Sequence, residues 1–453
     1  MTKNKFFIFS ILPVFLFISA HSQDAGPKLN SKDIGVLVDS VTKALNRWYI
    51  FPDKSALVEK TLKTNYKKGL YNKANNSREL SMLLNTDIQA TYKDKHLAVR
   101  YNPMIERHLL TTTPDSIIKL EEEMMLQDDR NRNFDFIKVE KLPGNIGYLR
   151  WDGFAGNLTE VTPIMDGAFR FVANTKALII DMRYNGGGSP QTVLAMENYF
   201  FDKKIPMTHI IDFNKDTLKQ YIDPAKTTFK LKMPVYILTG KITFSGAEDF
   251  TYGMKHSKRA VVVGDTSGGG AHPTDGFLAG KGFIINIPTA RSYSEYTKTD
   301  WEGTGVYPDF PIKSEKAMAK AQALILYDLL SKTNDEDQKK RLKWDLNALR
   351  VKVSAKDSLK VPNEVLSKYC GEYTPDVIDQ QNSNLSFILS CDNLIRKHPH
   401  PSVPDVTLIP VSNNKFIYGD DTGKTLEFVT DKNGKVTDLF FRWWTGEIHF
   451  KKL

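Results

Sequence analysis

Ser245 stands in LTGKITFSGAEDF (238–250), where the apolar segment PVYILTG (234–240) gives way to a helical pattern. A serine at such a junction has two uses. Its hydroxyl can cap the helix, or it can act as a nucleophile. In the second case the free N–H groups and positive dipole end of the helix would hold a developing oxyanion. Glu248, one turn further on, reads as a capping residue. Two glycine clusters sharpen the question: DMRYNGGGSP (181–190) and DTSGGGAHPTDG (265–276), each following a strand-like run. Three consecutive glycines contribute no packing. They allow unusual backbone angles and close approach to a ligand, and their N–H groups can form an anion-binding nest. The phosphate-binding patterns G-x-x-x-x-G-K-[ST] and G-x-G-x-x-G are absent. Asp181 and Arg183 read as an ion pair bracing the first glycine loop, with Tyr184 lining the site. His108, His209, His256, His398, His400 and His449 show no metal-ligand spacing and H-E-x-x-H does not occur, so neither a catalytic metal nor a cofactor is expected.

The elements that must position these residues follow from periodicity. Apolar residues at three-to-four spacing predict helices over 29–50, with Ser31 as cap, and over 55–71 and 77–92. The stretch 111–133 reads as a polar connector whose acidic run is a solvated face. From Asn145 strands and helices alternate: strands at 145–154, 176–181, 234–240 and 259–264, and helices at 157–172, 191–201 and 244–257. A hairpin over 276–294 and a closing helix over 314–332 follow. That alternation predicts an α/β core. Beyond residue 355 short strands separated by turns predict an all-β domain, a sandwich or small barrel. The expected divisions are 1–22, 27–125 (helical, with connector), 126–345 (core with closing helix) and 355–453. The aromatic run FFRWWTG (440–446) fits cross-strand pairing or a binding platform for carbohydrate or the cell envelope.

Bulk properties exclude several functions. A chain of 453 residues with 41% apolar residues can bury large cores. The net charge of +9 is diffuse, with no basic stripe interleaved with aromatics, which argues against nucleic acid. Residues 1–22 carry a basic start, an apolar run (6–20) too short to span a membrane, and Ala20-His21-Ser22. This predicts a leader cleaved before Gln23, a secreted or periplasmic protein, and no stable membrane anchor. Cys370 and Cys391 are the only cysteines. They lie in neighbouring strand-like segments, where a disulfide and two separate thiols are both open.

Four motifs in order, D-x-R-x-N-G-G-G, S-G-A-E-D-F, V-G-D-T-S-G-G-G-A-H-P and W-E-G-T-G-V-x-P-D, resemble the tail-specific, or C-terminal-processing, serine peptidases. The resemblance covers roughly 145–312. It is nearest the branch containing the tricorn core protease and the interphotoreceptor retinoid-binding protein repeats, and the D-x-H-L element at 94–97 also fits. It implies a crotonase-like (ClpP-like) ββα superhelix core. The family nucleophile falls on Ser245. The commoner branch uses a lysine about two dozen residues later, where this chain has Gly268–Gly270. The tricorn-like pattern instead implies His96 as base and Glu302 as its orienting carboxylate. His272 is the rival base or a substrate-binding residue. Backbone N–H groups of Gly187 or Gly188 with that of Gly246 would form the oxyanion hole. The interval between His96 and Asn145 is too short for a PDZ domain. The implied activity is endopeptidase cleavage near the C-termini of peptides or unfolded proteins through an acyl-enzyme. The retinoid-binding repeats supply the alternative, a non-catalytic protein binding a hydrophobic ligand or a peptide on the same scaffold.

Overall fold

The computed structural model describes residues 25–110, 115–355, 359–377, 384–420 and 423–453; the expected leader lies outside the described residues. In chain order the elements are α1 (Ser31–Trp48), α2 (Pro52–Lys67), α3 (Ser77–Thr91), β1 (Ala98–Tyr101), α4 (Pro103–Leu110), α5 (Asp115–Asn131), β2 (Phe136–Leu142), β3 (Ile146–Trp151), α6 (Leu158–Val172), β4 (Ala177–Asp181), α7 (Pro190–Glu197), β5 (Thr208–Asp212), β6 (Thr217–Leu218), β7 (Val235–Thr239), α8 (Gly246–His256), β8 (Ala260–Gly264), β9 (Thr274–Gly280), β10 (Phe283–Pro288), β11 (Ala290–Ser294), β12 (Phe310–Pro311), α9 (Ser314–Lys332), α10 (Glu336–Ala355), α11 (Asn363–Tyr369) and eight further strands β13–β20 between Gly371 and Lys452. The chain divides into two compact units. One holds residues up to 140 together with 148–174 and 178–317; the other holds 141–147, 175–177 and 318–453.

The first unit is an α/β core fronted by helices. Its six-stranded sheet has the order β12-β8-β7-β4-β3-β2. β4 pairs parallel with β7 (Leu178↔Val235, Asp181↔Leu238), and β7 parallel with β8. The five residues of β4 are all buried, as expected where helices cover both faces of a parallel sheet. Trp151, Phe169, Phe250 and Met254 centre the core between sheet and helices. The N-terminal helices build their own core. Ile34, Leu37, Val38, Val41 and Leu45 form one stripe of α1, which packs with Leu84 and Ile88 of α3 and with Phe283, Ile285 and Ile287 of β10. Strand β1 joins β10 and β9 in a three-stranded sheet, so this helical layer is sewn to the 276–294 hairpin. The hairpin turns through Lys281 (φ 61°) and Gly282 (φ 85°), the two left-handed positions of a two-residue turn.

Two local expectations are corrected. The cap of α1 is Asn30, which accepts the Asp33 N–H at 2.9 Å, not Ser31. The stretch expected as a connector contains the 17-residue helix α5, whose Leu126 packs against the central core. Its charges misled the reading, since Glu123 and Arg130 pair with each other on its surface.

The second unit contains a closed barrel, β13 through β20 in order, with β20 pairing back to β13 (Tyr373↔Lys452). Closure leaves no free edge. Phe387, Phe416, Phe428 and Tyr373 fill it, and Trp344 of α10 meets Gly423. Phe440 and Phe441 pair across the last hairpin with His449 and Ile448. Cys370 and Cys391 are both free thiols. The register Gly371↔Phe387 carries Cys370 to the level of Ile388, about 10 Å along the strand from Cys391.

Candidate active site

β4, β7 and β8 are adjacent and parallel, so their C-terminal ends open on one side. In open α/β sheets that side is where ligands are bound. β4 releases the loop 182–189, β7 the loop 240–245 and β8 the loop 265–273. Hydrogen bonds sew the three together. Thr243 Oγ1 donates to the Met182 carbonyl at 2.7 Å, the Phe244 N–H to the Asn185 carbonyl at 3.1 Å, and the Gly268 N–H to the Thr243 carbonyl at 2.8 Å.

Ser245 is the residue before α8, with φ 53° and ψ −120°. That region is strained for any residue but glycine and costs about 1–3 kcal/mol. The strain is held by Glu248. This fully buried carboxylate accepts the Ser245 N–H at 2.9 Å, Ser267 Oγ at 2.5 Å, the Gly269 N–H at 2.6 Å and the Gly270 N–H at 2.8 Å. Burial pushes its carboxyl upward, and the four donors pull against that. Ser245 and Glu248 form a capping box, in which the serine side chain faces the Glu248 N–H without a bond of full geometry while the carboxylate holds the Ser245 N–H. Sequence reading gave Glu248 only the local cap; its bonds to the 267–270 loop are long-range.

The glycine loop lies against this turn. A Cβ on Gly187 would stand 2.7 Å from the Gly246 nitrogen and 2.8 Å from Ser245 Cβ. One on Gly246 would stand 3.1 Å from the Gly188 nitrogen. Asn185, fully buried, accepts the Gly187 N–H at 2.8 Å and donates to the Trp151 carbonyl at 2.9 Å. The Gly187 N–H is therefore engaged. Those of Gly188 and Gly246 make no backbone hydrogen bond among the described residues, and the two glycines lie side by side next to Ser245. Asp181 and Arg183 form the expected pair (2.6 and 2.8 Å), and Tyr148 donates to Asp181 at 2.8 Å. Tyr184 is half exposed beside that loop, its ring 4.2 Å from the Arg150 guanidinium.

His96 comes from the N-terminal layer. Its ring packs on Phe244, the neighbour of Ser245, with centroids 4.7 Å apart. Nδ1 is buried without a partner. Burial lowers its pKa to about 4, with Asp94 pulling the other way, so the ring is neutral at pH 7. Glu302 holds the Ala271 N–H at 2.6 Å through Oε2, and its Oε1 is buried without a partner. Burial raises its pKa to about 7, opposed by His272 and helped by Asp94.

The expected Glu302–His96 hydrogen bond is not formed. Glu302 instead lies 3.4 Å from His272 Nδ1, while one donor atom each of Asp94, His96 and Glu302 lie within 4.8 Å of one another. Asp94, to which sequence reading gave no role, is the hub. It is fully buried and accepts His272 Nδ1 at 2.9 Å, the Tyr49 hydroxyl at 2.9 Å and the His96 N–H at 3.1 Å. Burial would raise its pKa; the His272 bond and the two histidines outweigh that and lower it. For His272, burial opposes the charge, but the Asp94 bond and the Glu302 and Asp94 carboxylates prevail and raise its pKa. Its position two residues before His96 was the one signal for Asp94 in the sequence.

A serine at a helix start, with glycine N–H groups beside it and a histidine–carboxylate cluster nearby, has the residue types that serine hydrolases use. Residues 145–312 match peptidase family S41, and residues 29–136 match the N-terminal domain of Peptidase_S41 in eukaryotic IRBP. Residues 145–312 thus form a Peptidase S41 family domain, and residues 29–136 an S41 N-terminal domain that precedes it. It is similar to carboxyl-terminal-processing peptidase 2, chloroplastic, of Arabidopsis thaliana (26% identical over 178 residues, 38% of this chain and 34% of that one). It is also similar to the carboxy-terminal processing protease CtpB of Bacillus subtilis (29% over 166 residues, 36% and 33%). The chain spans about a third of the length of these curated relatives. Among solved structures, the photosystem II D1 C-terminal processing protease aligns with a TM-score of 0.41 at 15% identity, over 62% of this chain and 94% of that one. The tricorn protease aligns with a TM-score of 0.40 at 13% identity, over 71% and 37%.

Proposed function

We propose that this chain is a secreted or periplasmic serine endopeptidase that cleaves near protein C-termini through an acyl-enzyme. The observation that carries the reading is Ser245, held in a strained turn at the start of α8 with the N–H groups of Gly188 and Gly246 beside it. Ser245 Oγ attacks the scissile carbonyl and gives its proton to His96. The carbonyl oxygen becomes an oxyanion held by the Gly188 and Gly246 N–H groups. His96 then protonates the leaving amine, and water hydrolyses the ester by the same steps in reverse. Glu302 and Asp94 stabilise the imidazolium formed in between. Their resting distances shorten when substrate binds, as is common in unliganded sites. Substrate binds as an added strand, through its main chain. The processing peptidases this chain resembles support cleavage near C-termini, and the leader pattern of residues 1–22 supports export.

His272 has one observation in its favour as base: Nδ1 is bonded to a carboxylate and Nε2 is free. Its ring, however, packs on Phe51 of the N-terminal layer, whereas that of His96 packs on the neighbour of Ser245. The test is hydrolysis of unfolded protein by the mature chain, with fragments read by mass spectrometry. Wild type should release short C-terminal fragments, and His96→Ala should lose the activity. Loss in His272→Ala with full activity in His96→Ala would reassign the base.

A further inference from the structure

We propose that Asp94, His96 and Glu302 form a binding site for a single zinc-class divalent cation, and that the ion silences Ser245 by occupying His96. One imidazole and two carboxylates are a zinc-type donor set that leaves a fourth position open. One donor atom of each residue lies within 4.8 Å of the others, and no other such group of three occurs among the described residues. Ligands of a tetrahedral zinc stand about 3.4 Å apart. Small side-chain rotations close the difference.

A second observation points to a ligand here. His96 Nδ1 and Glu302 Oε1 are buried polar atoms without a partner, and the Glu302 side chain is only 9% exposed. Such atoms are costly unless something fills the gap. The outer shell is already in place. Tyr49 and His272 donate to Asp94 Oδ2, and the Ala271 N–H holds Glu302 Oε2, which orients the carboxylates and leaves Oε1 open.

The binding half of this inference is independent of the catalytic reading; the silencing half rests on it. The test titrates ZnCl2 into the mature protein by calorimetry and, in parallel, follows fluorophosphonate labelling of Ser245. Wild type and Ser245→Ala should each take up one equivalent at this site. His96→Ala and Glu302→Gln should each bind at least tenfold more weakly. His449→Ala, which removes a histidine flanked by Asp376 and Asp438, should leave the binding unchanged. Labelling of wild type should fall with the same midpoint as binding. Equal binding by wild type and both site variants, each shown folded by circular dichroism, would overturn the site. Undiminished labelling at saturating zinc would overturn the silencing. A Ser245 that never labels, even without zinc, would instead refute the nucleophile, and the titration would still decide the site.

Discussion

Glu248 shows how much one side chain does here. Its two oxygens accept four donors from two loops, and one of those donors is the N–H of the strained Ser245. Glu248→Gln keeps the size but turns one oxygen into a donor facing donors. It should lower stability by about 2–3 kcal/mol and slow Ser245 labelling at least tenfold, as read by denaturant melts and labelling rates. Ser267→Ala removes a single donor and should do less on both counts. At the same scale, the two histidines differ in acidity, and pH separates them. A base must be unprotonated. With His96 lowered to about 4, labelling should hold from pH 7 to pH 5 and fall only below that. Were His272 the base, its raised pKa would place the acid limb above the ordinary imidazole range instead. A labelling rate measured from pH 4.5 to 8 distinguishes them.

At the scale of elements, the site exists because three adjacent parallel strands deliver three loops to one side. Gly188 (φ 140°) lies tight against the chain that leaves β3, and a Cβ there would run into the Phe154 carbonyl oxygen. Gly188→Ala should therefore push the 182–189 loop off Ser245. Labelling should be lost while Gly156→Ala, whose added carbon meets nothing within 4 Å, labels as wild type. These loops were readable in the sequence because they are local: buried strand, glycines, helix start. The Asp94–His272 pair was not, since 178 residues separate its members and no periodicity links them. Helix α5 was missed for a different reason, its surface charge outweighing the apolar signal of residues such as Leu126, which packs against the core. The barrel strands were legible from their alternation; their closure depends on a pairing between the first and last strands that no local pattern carries.

At the scale of the whole molecule, one buried acid should contribute strongly to the pH dependence of stability. Glu197, 2% exposed, is held well above the usual carboxylate range by burial and by the nearby Asp249. Its folded-state pKa exceeds its unfolded one, so the folded state binds more protons. Its contribution to stability is thus fully present below the unfolded value of about 4.5 and is lost as pH rises toward the folded one. Glu197→Gln should raise the melting temperature at pH 8, change little at pH 4, and flatten the profile between, as read by thermal melts.

The account as a whole stands on Ser245 being a nucleophile rather than a cap, and a fluorophosphonate probe tests this directly. The mature protein at pH 7 should gain one probe mass on the peptide carrying Ser245, and Ser245→Ala should gain none. Equal labelling of the two, or no labelling of a folded wild type, would contradict the account and leave the scaffold to a binding function.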